Sequence, residues 1–190
     1  MKLTRKSLGL VAPAVALAAG ALVAGTGTAA QASTVSAGHA KPFVGVFDEI
    51  KNVGNNLCMQ ATQATPNVPV VQEPCDSTNP LQGWQFTQVS GNTYGFLNQG
   101  SGACLFAFIG AENGAPMGVD TCRKVSNEQF DTHASLPNVT ELESKIGFSD
   151  TGFCMDVPGA TTNPGVQLQL FTCNGTLAQR WVIGFPPPAQ

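Results

Sequence analysis

Residues 154–181 read CMDVPGATTNPGVQLQLFTCNGTLAQRW, and two relatives of this stretch lie upstream of it. It runs from Cys154 through Cys173 to Trp181. Cys58, Cys75 and Trp84 repeat the arrangement, and so do Cys104, Cys122 and Phe130. First cysteines recur 46 and 50 residues apart, second cysteines 47 and 51, and the aromatics 46 and 51. Three independent landmarks thus keep one register. A fixed period of this size marks a repeated supersecondary unit, which cannot bury its apolar face alone and closes a core only with its copies.

Within each unit the punctuation is that of β structure. Residues 50–58 (IKNVGNNLC), 96–104 (FLNQGSGAC) and 148–154 (FSDTGFC) each join an apolar strand end to a Gly/Asn turn and a strand beginning near the first cysteine, which predicts a hairpin. A Gly/Pro/Asn loop follows, then a short strand ending at the second cysteine, then a polar turn and a last strand at the aromatic, as in Arg180-Trp181-Val182-Ile183. Residues 43–47 (FVGVF) read as a first strand, and Thr140 to Lys145 as at most a single helical turn. The expectation is an all-β fold of about four strands per unit. Three blades are too few for a propeller, whereas a three-fold pseudo-symmetric barrel of about twelve strands closes and leaves no exposed edge. Trp84, Phe130 and Trp181 then converge in its core.

Lys2, Arg5 and Lys6 precede an apolar stretch from Leu8 to Val23, and Ala30-Gln31-Ala32 supplies the small-x-small pattern of a cleavage site. Residues 1–32 therefore read as a secretory signal peptide, residues 33–41 as a short linker and residues 186–190 as a Pro-rich tail. The expected mature protein is secreted, extracellular and free of the membrane once the signal is cut. Three of the nine basic residues and none of the twelve acidic ones lie in the signal, so the mature charge is about −6. Nucleic-acid binding, which calls for a basic patch, is set aside. Six cysteines in an exported chain read as three disulfides, for which 15 pairings exist. Equivalent units select one: Cys58–Cys75, Cys104–Cys122 and Cys154–Cys173, each bridge contributing roughly 3 kcal/mol by restricting the unfolded chain. With no close Cys-x-x-Cys pair and only His39 and His133, no metal or cofactor is expected.

Gln82-Gly83-Trp84 and Gln179-Arg180-Trp181, in register with the paired cysteines, resemble the Gln-x-Trp hallmark of the ricin-type β-trefoil lectins. Glu128-Gln129-Phe130 is a version with both ends substituted. The resemblance covers residues 42–185, as repeats of about 42–89, 90–133 and 134–185. It implies one shallow sugar pocket per repeat. In it an Asp two residues after the first cysteine accepts hydrogen bonds from neighbouring hydroxyls, an aromatic two residues before the second cysteine stacks on the C–H face of the ring, and the hallmark Gln with a preceding Asn completes the polar edge. A carboxylate makes stronger hydrogen bonds than a neutral acceptor, and an aromatic supplies flat apolar area at low entropic cost.

Only the third repeat keeps this set. Asp156 holds the acceptor position, Phe171 the stacking position, Gln169 the same strand face and Gln179 the hallmark; Ala178 stands where the family has Asn. The first repeat has Gln60 and Glu73 in the two key positions, and the second has Phe106 and Asp120. The expected function is non-catalytic binding of a galactose- or xylan-type carbohydrate through one surviving pocket. Nothing predicts an enzyme: no base stands near a nucleophile, and no carboxylate pair is singled out. The rival reading is a scaffold for protein interaction or inhibition, with a protein partner held by the residues that break the repeat, Ala134 to Lys145.

Overall fold

The computed structural model describes residues 46–184. The expected signal peptide, linker and Pro-rich tail lie outside them.

Each repeat contributes two long-range staves and one hairpin. The first repeat supplies β1 (Ile50–Asn52), β2 (Cys58–Ala61), β3 (Val68–Glu73) and β4 (Trp84–Ser90). The second supplies β5 (Thr93–Asn98), β6 (Cys104–Ala107), β7 (Ala115–Asp120) and β8 (Phe130–Asp131). The third supplies β9 (Asn138–Thr140), β10 (Glu143–Ser144), β11 (Phe153–Asp156), β12 (Gln169–Thr172) and β13 (Trp181–Ile183). No α-helix occurs among the described residues, only single 3-10 turns.

The outer staves form a ring. β1 pairs with β13, β13 with β9, β10 with β8, β8 with β5 and β5 with β4, and a bridge between Asp48 and Trp84 closes the circle. The hairpins β2–β3, β6–β7 and β11–β12 cap one end, joined by β3–β7, β7–β12 and a bridge from Val71 to Gln167. This is the β-trefoil. Closure leaves the barrel without a free edge. Trp84, Phe130 and Trp181 lie in one buried cluster with Ile50, Phe96, Met59, Leu105 and Met155. The indole N–H groups of Trp84 and Trp181 donate to the carbonyls of Met59 and Met155 at 2.9 and 3.1 Å, one residue beyond the first cysteine in each case. The three disulfides close within their repeats, Cys58–Cys75, Cys104–Cys122 and Cys154–Cys173.

Three local expectations are corrected. Val46 and Phe47 are not in a strand; the first strand starts at Ile50. Thr140 to Lys145 is extended rather than a helical turn, because its backbone is committed to neighbouring strands: the Met155 N–H donates to Leu142 C=O and the Lys145 N–H to Gln129 C=O. It is also no free loop, since Leu142, Glu143 and Ser144 are buried. Finally, Phe148 does not end a strand. Glu143 pairs with Cys154 as Lys51 does with Cys58 and Leu97 with Cys104, so the third repeat's hairpin begins at β10 and has a longer turn. Phe148 sits in that turn at φ +64°, 67% exposed. Glu141 and Leu142 interrupt the stave that corresponds to β5, so it counts as β9 and β10 and the described residues hold thirteen strands.

Gly118 marks the tightest approach in the cap. A Cβ there would meet the Phe108 ring at 2.1 Å and the Val68 carbonyl oxygen at 2.5 Å. Gly118→Ala is expected to lower stability by about 1–3 kcal/mol through overpacking, read as a fall in the thermal midpoint.

Candidate functional site

The β11–β12 register sets Asp156 opposite Gln169 and Cys154 opposite Phe171. Because side chains alternate across a strand, Asp156, Gln169 and Phe171 project from one face of the hairpin. Gln169 Nε2 donates to Asp156 Oδ2 at 2.9 Å. The three line a shallow hollow of about 230 Å³ with Asn174, Thr176 and Ala178. Phe171 is 37% exposed and presents its ring to the opening. Asp156 is only 5% exposed, and burial pushes its carboxyl above the ordinary carboxylate range, partly offset by hydrogen bonds from Gln169 and Gln179. A buried carboxylate beside an exposed ring can accept hydroxyl donors on one side and cover a C–H face on the other.

Gln179 lies behind this hollow and not in it. The residue has no exposed surface. Its Oε1 accepts the Asn174 N–H at 2.8 Å and its Nε2 donates to Thr172 C=O at 3.0 Å, which clasps the chain on both sides of Cys173. Gln82 makes the same clasp around Cys75, with the Asp76 N–H at 2.8 Å and Pro74 C=O at 2.9 Å. Glu128 has no donor, so it instead accepts two N–H groups, from Arg123 and Lys124, at 2.8 Å each. The hallmark glutamine is thus a loop clasp that also braces the acceptor.

The equivalent places in the other repeats are closed from within. Gln60 Oε1 is taken by Asn79 Nδ2 at 3.0 Å and Gln82 Nε2 at 2.9 Å, and Glu73 stands where a ring would be. In the second repeat the Arg123 guanidinium lies 5.2 Å from the Phe106 ring centre and pairs with Asp120 at 2.7 Å. Phe108 covers Gly118, the counterpart of Gln169. The cation next to Cys122 was the sequence signal for this plug.

A larger hollow of about 390 Å³ lies among Val89, Phe96, Lys124 and Glu128. Its one carboxylate, that of Glu128, is already committed to the backbone N–H groups of Arg123 and Lys124. The one three-residue group of potential metal ligands among the described residues, Glu49 with Cys58 and Cys75, has both sulfurs in a disulfide. His133 is held between Asp131 (3.5 Å) and Glu143 (3.0 Å).

A family model described as the ricin-type beta-trefoil lectin domain matches residues 46–146, more than half of the 190 residues. No curated protein matches the chain. Among solved structures, a designed three-fold symmetric protein, ThreeFoil, is similar at 18% identity and a TM-score of 0.63, over 71% of this chain and 95% of that one. A ricin B-like lectin of Macrolepiota procera, solved with lactose, is similar at 21% identity and 0.59, over 75% and 96%. An exo-beta-1,3-galactanase of Clostridium thermocellum is similar at 19% and 0.63, over 72% of this chain and only 29% of its own length.

Proposed function

The chain belongs to the ricin-type β-trefoil lectin domain family, and from that premise we propose that it is a secreted, non-catalytic carbohydrate-binding protein whose glycan seat is the third repeat. Secretion rests on the basic, apolar and small-residue pattern of residues 1–32. The observation that carries the site is the contrast among repeats. Asp156, Gln169 and Phe171 line an open hollow, while Gln60 is hydrogen-bonded by its own neighbours and Phe106 is covered by Arg123. Asp156 accepts two adjacent hydroxyls, Phe171 covers the ring's C–H face and Gln169 holds the carboxylate; Gln179 is the positioning residue behind it.

Galactose-type or xylan-type glycans are the ligands the family resemblance implies, and the lactose in the Macrolepiota procera lectin agrees with the first. A single shallow seat binds weakly, so tight attachment to a surface would come from several copies side by side. The test is retention on a panel of galactose- and xylose-containing polysaccharides. Phe171→Ala, which removes a half-exposed ring and no core contact, is expected to keep the thermal midpoint and weaken retention about tenfold. Retention of nothing, with capture of one protein partner in the presence of free sugar, would instead favour the scaffold reading.

A further inference from the structure

We propose that the glycan seat continues past Ala178 into a second hollow that accepts the next ring of the same chain, so that the ligand is an oligosaccharide of at least two sugars. This rests on the reading above and extends it.

A second hollow of about 230 Å³ adjoins the first. The two share Val157, Ala160, Thr176 and Ala178 as lining, and the second runs on to Leu177 and to the Asn52–Asn55 turn of the first repeat. It is therefore built across a junction between repeats. Asn52 Nδ2 fixes that junction by donating to the carbonyls of Ala178 (3.1 Å) and Arg180 (3.3 Å).

The same junction occurs between the first and second repeats. There Asn98 Nδ2 donates to the carbonyls of Leu81 (2.9 Å) and Gly83 (3.2 Å). Leu81, the residue before the hallmark glutamine, corresponds to Ala178. Its Cδ2 lies 2.7 Å from where a Cβ on Gly100 would stand, so the leucine fills the gap beneath the neighbouring turn. At the corresponding turn Leu177 makes the approach, its Cβ 3.2 Å from where a Cβ on Gly54 would stand, and the methyl group of Ala178 leaves beside it a hollow that shares its lining with the seat at Asp156. The residue that stands where the family has asparagine thus also lies on the boundary of both hollows.

The chemistry of the second hollow suits a ring held by shape. Asn55 Nδ2 is already committed to Gln72 Oε1 (2.8 Å) and Thr161 C=O (3.0 Å), and its Oδ1 accepts the Leu57 N–H (2.9 Å). Leu177, 54% exposed, offers an aliphatic face, and Thr176 is the exposed hydroxyl at the boundary. Few free polar groups mean that this hollow registers the presence of a neighbouring ring more than the configuration of its hydroxyls.

The experiment is a calorimetric titration with galactose against lactose, and with xylose against xylotriose. In the series that binds, the longer sugar is expected to bind about tenfold tighter. Leu177→Ala, which lies outside the first hollow, is expected to keep the single-sugar affinity and bring the longer sugar down to it. Ala178→Leu, which copies the plug of the first repeat, is expected to lower the ratio likewise. Equal affinities for short and long sugars, or a ratio unmoved in Leu177→Ala, would overturn the second hollow and leave the first standing. Absence of binding by both series and by the parent polysaccharides would overturn both.

Discussion

An Asp156→Ala protein is expected to fold as the parent does and to lose its glycan. The carboxylate would make two charge-assisted hydrogen bonds to a sugar, each worth about 1.5–3 kcal/mol, so affinity should fall at least about a hundredfold. Stability should change little, because Asp156 is a buried charge whose burial is unfavourable, and its partners Gln169 and Gln179 retain the solvent-lined hollow and the Thr172 carbonyl. Asp156→Asn keeps the shape and one acceptor and should fall between. Affinity measured beside a thermal melt checks the pair. Undiminished binding by Asp156→Ala would place the glycan elsewhere.

The same residue sets a pH response. Burial raises its folded-state pKa above the unfolded value, so the native protein takes up this proton first as pH falls. Asp156 alone therefore destabilises the fold at pH above its raised pKa and ceases to do so below its unfolded one. Binding needs the ionised form and runs the other way. It should weaken as pH drops through the raised pKa, at milder acidity than an exposed carboxylate would require, with the melt showing no loss attributable to Asp156.

Trp181→Ala should have the largest effect on stability. The side chain is fully buried beside Ile183, and its indole N–H satisfies the Met155 carbonyl. Truncating it costs about 3–5 kcal/mol through the cavity. The stranded carbonyl adds about 1 kcal/mol or more. Against a total of about 5–15 kcal/mol for a domain, much of the population unfolds on mild warming or in low urea. Trp181→Phe strands the same carbonyl but leaves a smaller cavity, so it should cost less, about 2–3 kcal/mol, as Phe130 already fills the equivalent position. Because Met155 precedes Asp156 on β11, any Trp181→Ala protein that stays folded should also bind glycans poorly. A urea midpoint for Trp181→Ala equal to the parent's would sink the view of the three aromatics as a shared core.

The cysteine pairs, the three aromatics and the trio Asp156, Gln169 and Phe171 were legible because each sits at a fixed offset within one repeat. Hairpin pairing converts such offsets directly into facing positions, as with Asp156 and Gln169. The misreading at Phe148 arose from the same logic. Phe148, an apolar residue ahead of an Asp/Gly turn six residues before Cys154, stands in for strand ends that lie eight residues before Cys58 and Cys104, but the turn is longer and the strand lies farther back, as the pairing of Glu143 with Cys154 reveals. Gln179 looked like a contact from its hallmark position, yet its two backbone bonds across Cys173 draw it wholly inside.

The chain's linear order determined the three-fold repeat, the partner of every cysteine, the aromatic centre and the one repeat with the acceptor after its first cysteine and the ring before its second, because those follow from spacing inside a unit. Tertiary structure decided what happens between units: the self-satisfied amide of Gln60, the Arg123 plug over Phe106, and the open junction beside Ala178 where Leu81 closes its counterpart. Those depend on which side chain a neighbouring turn presents, and that distance in space has no constant counterpart along the chain.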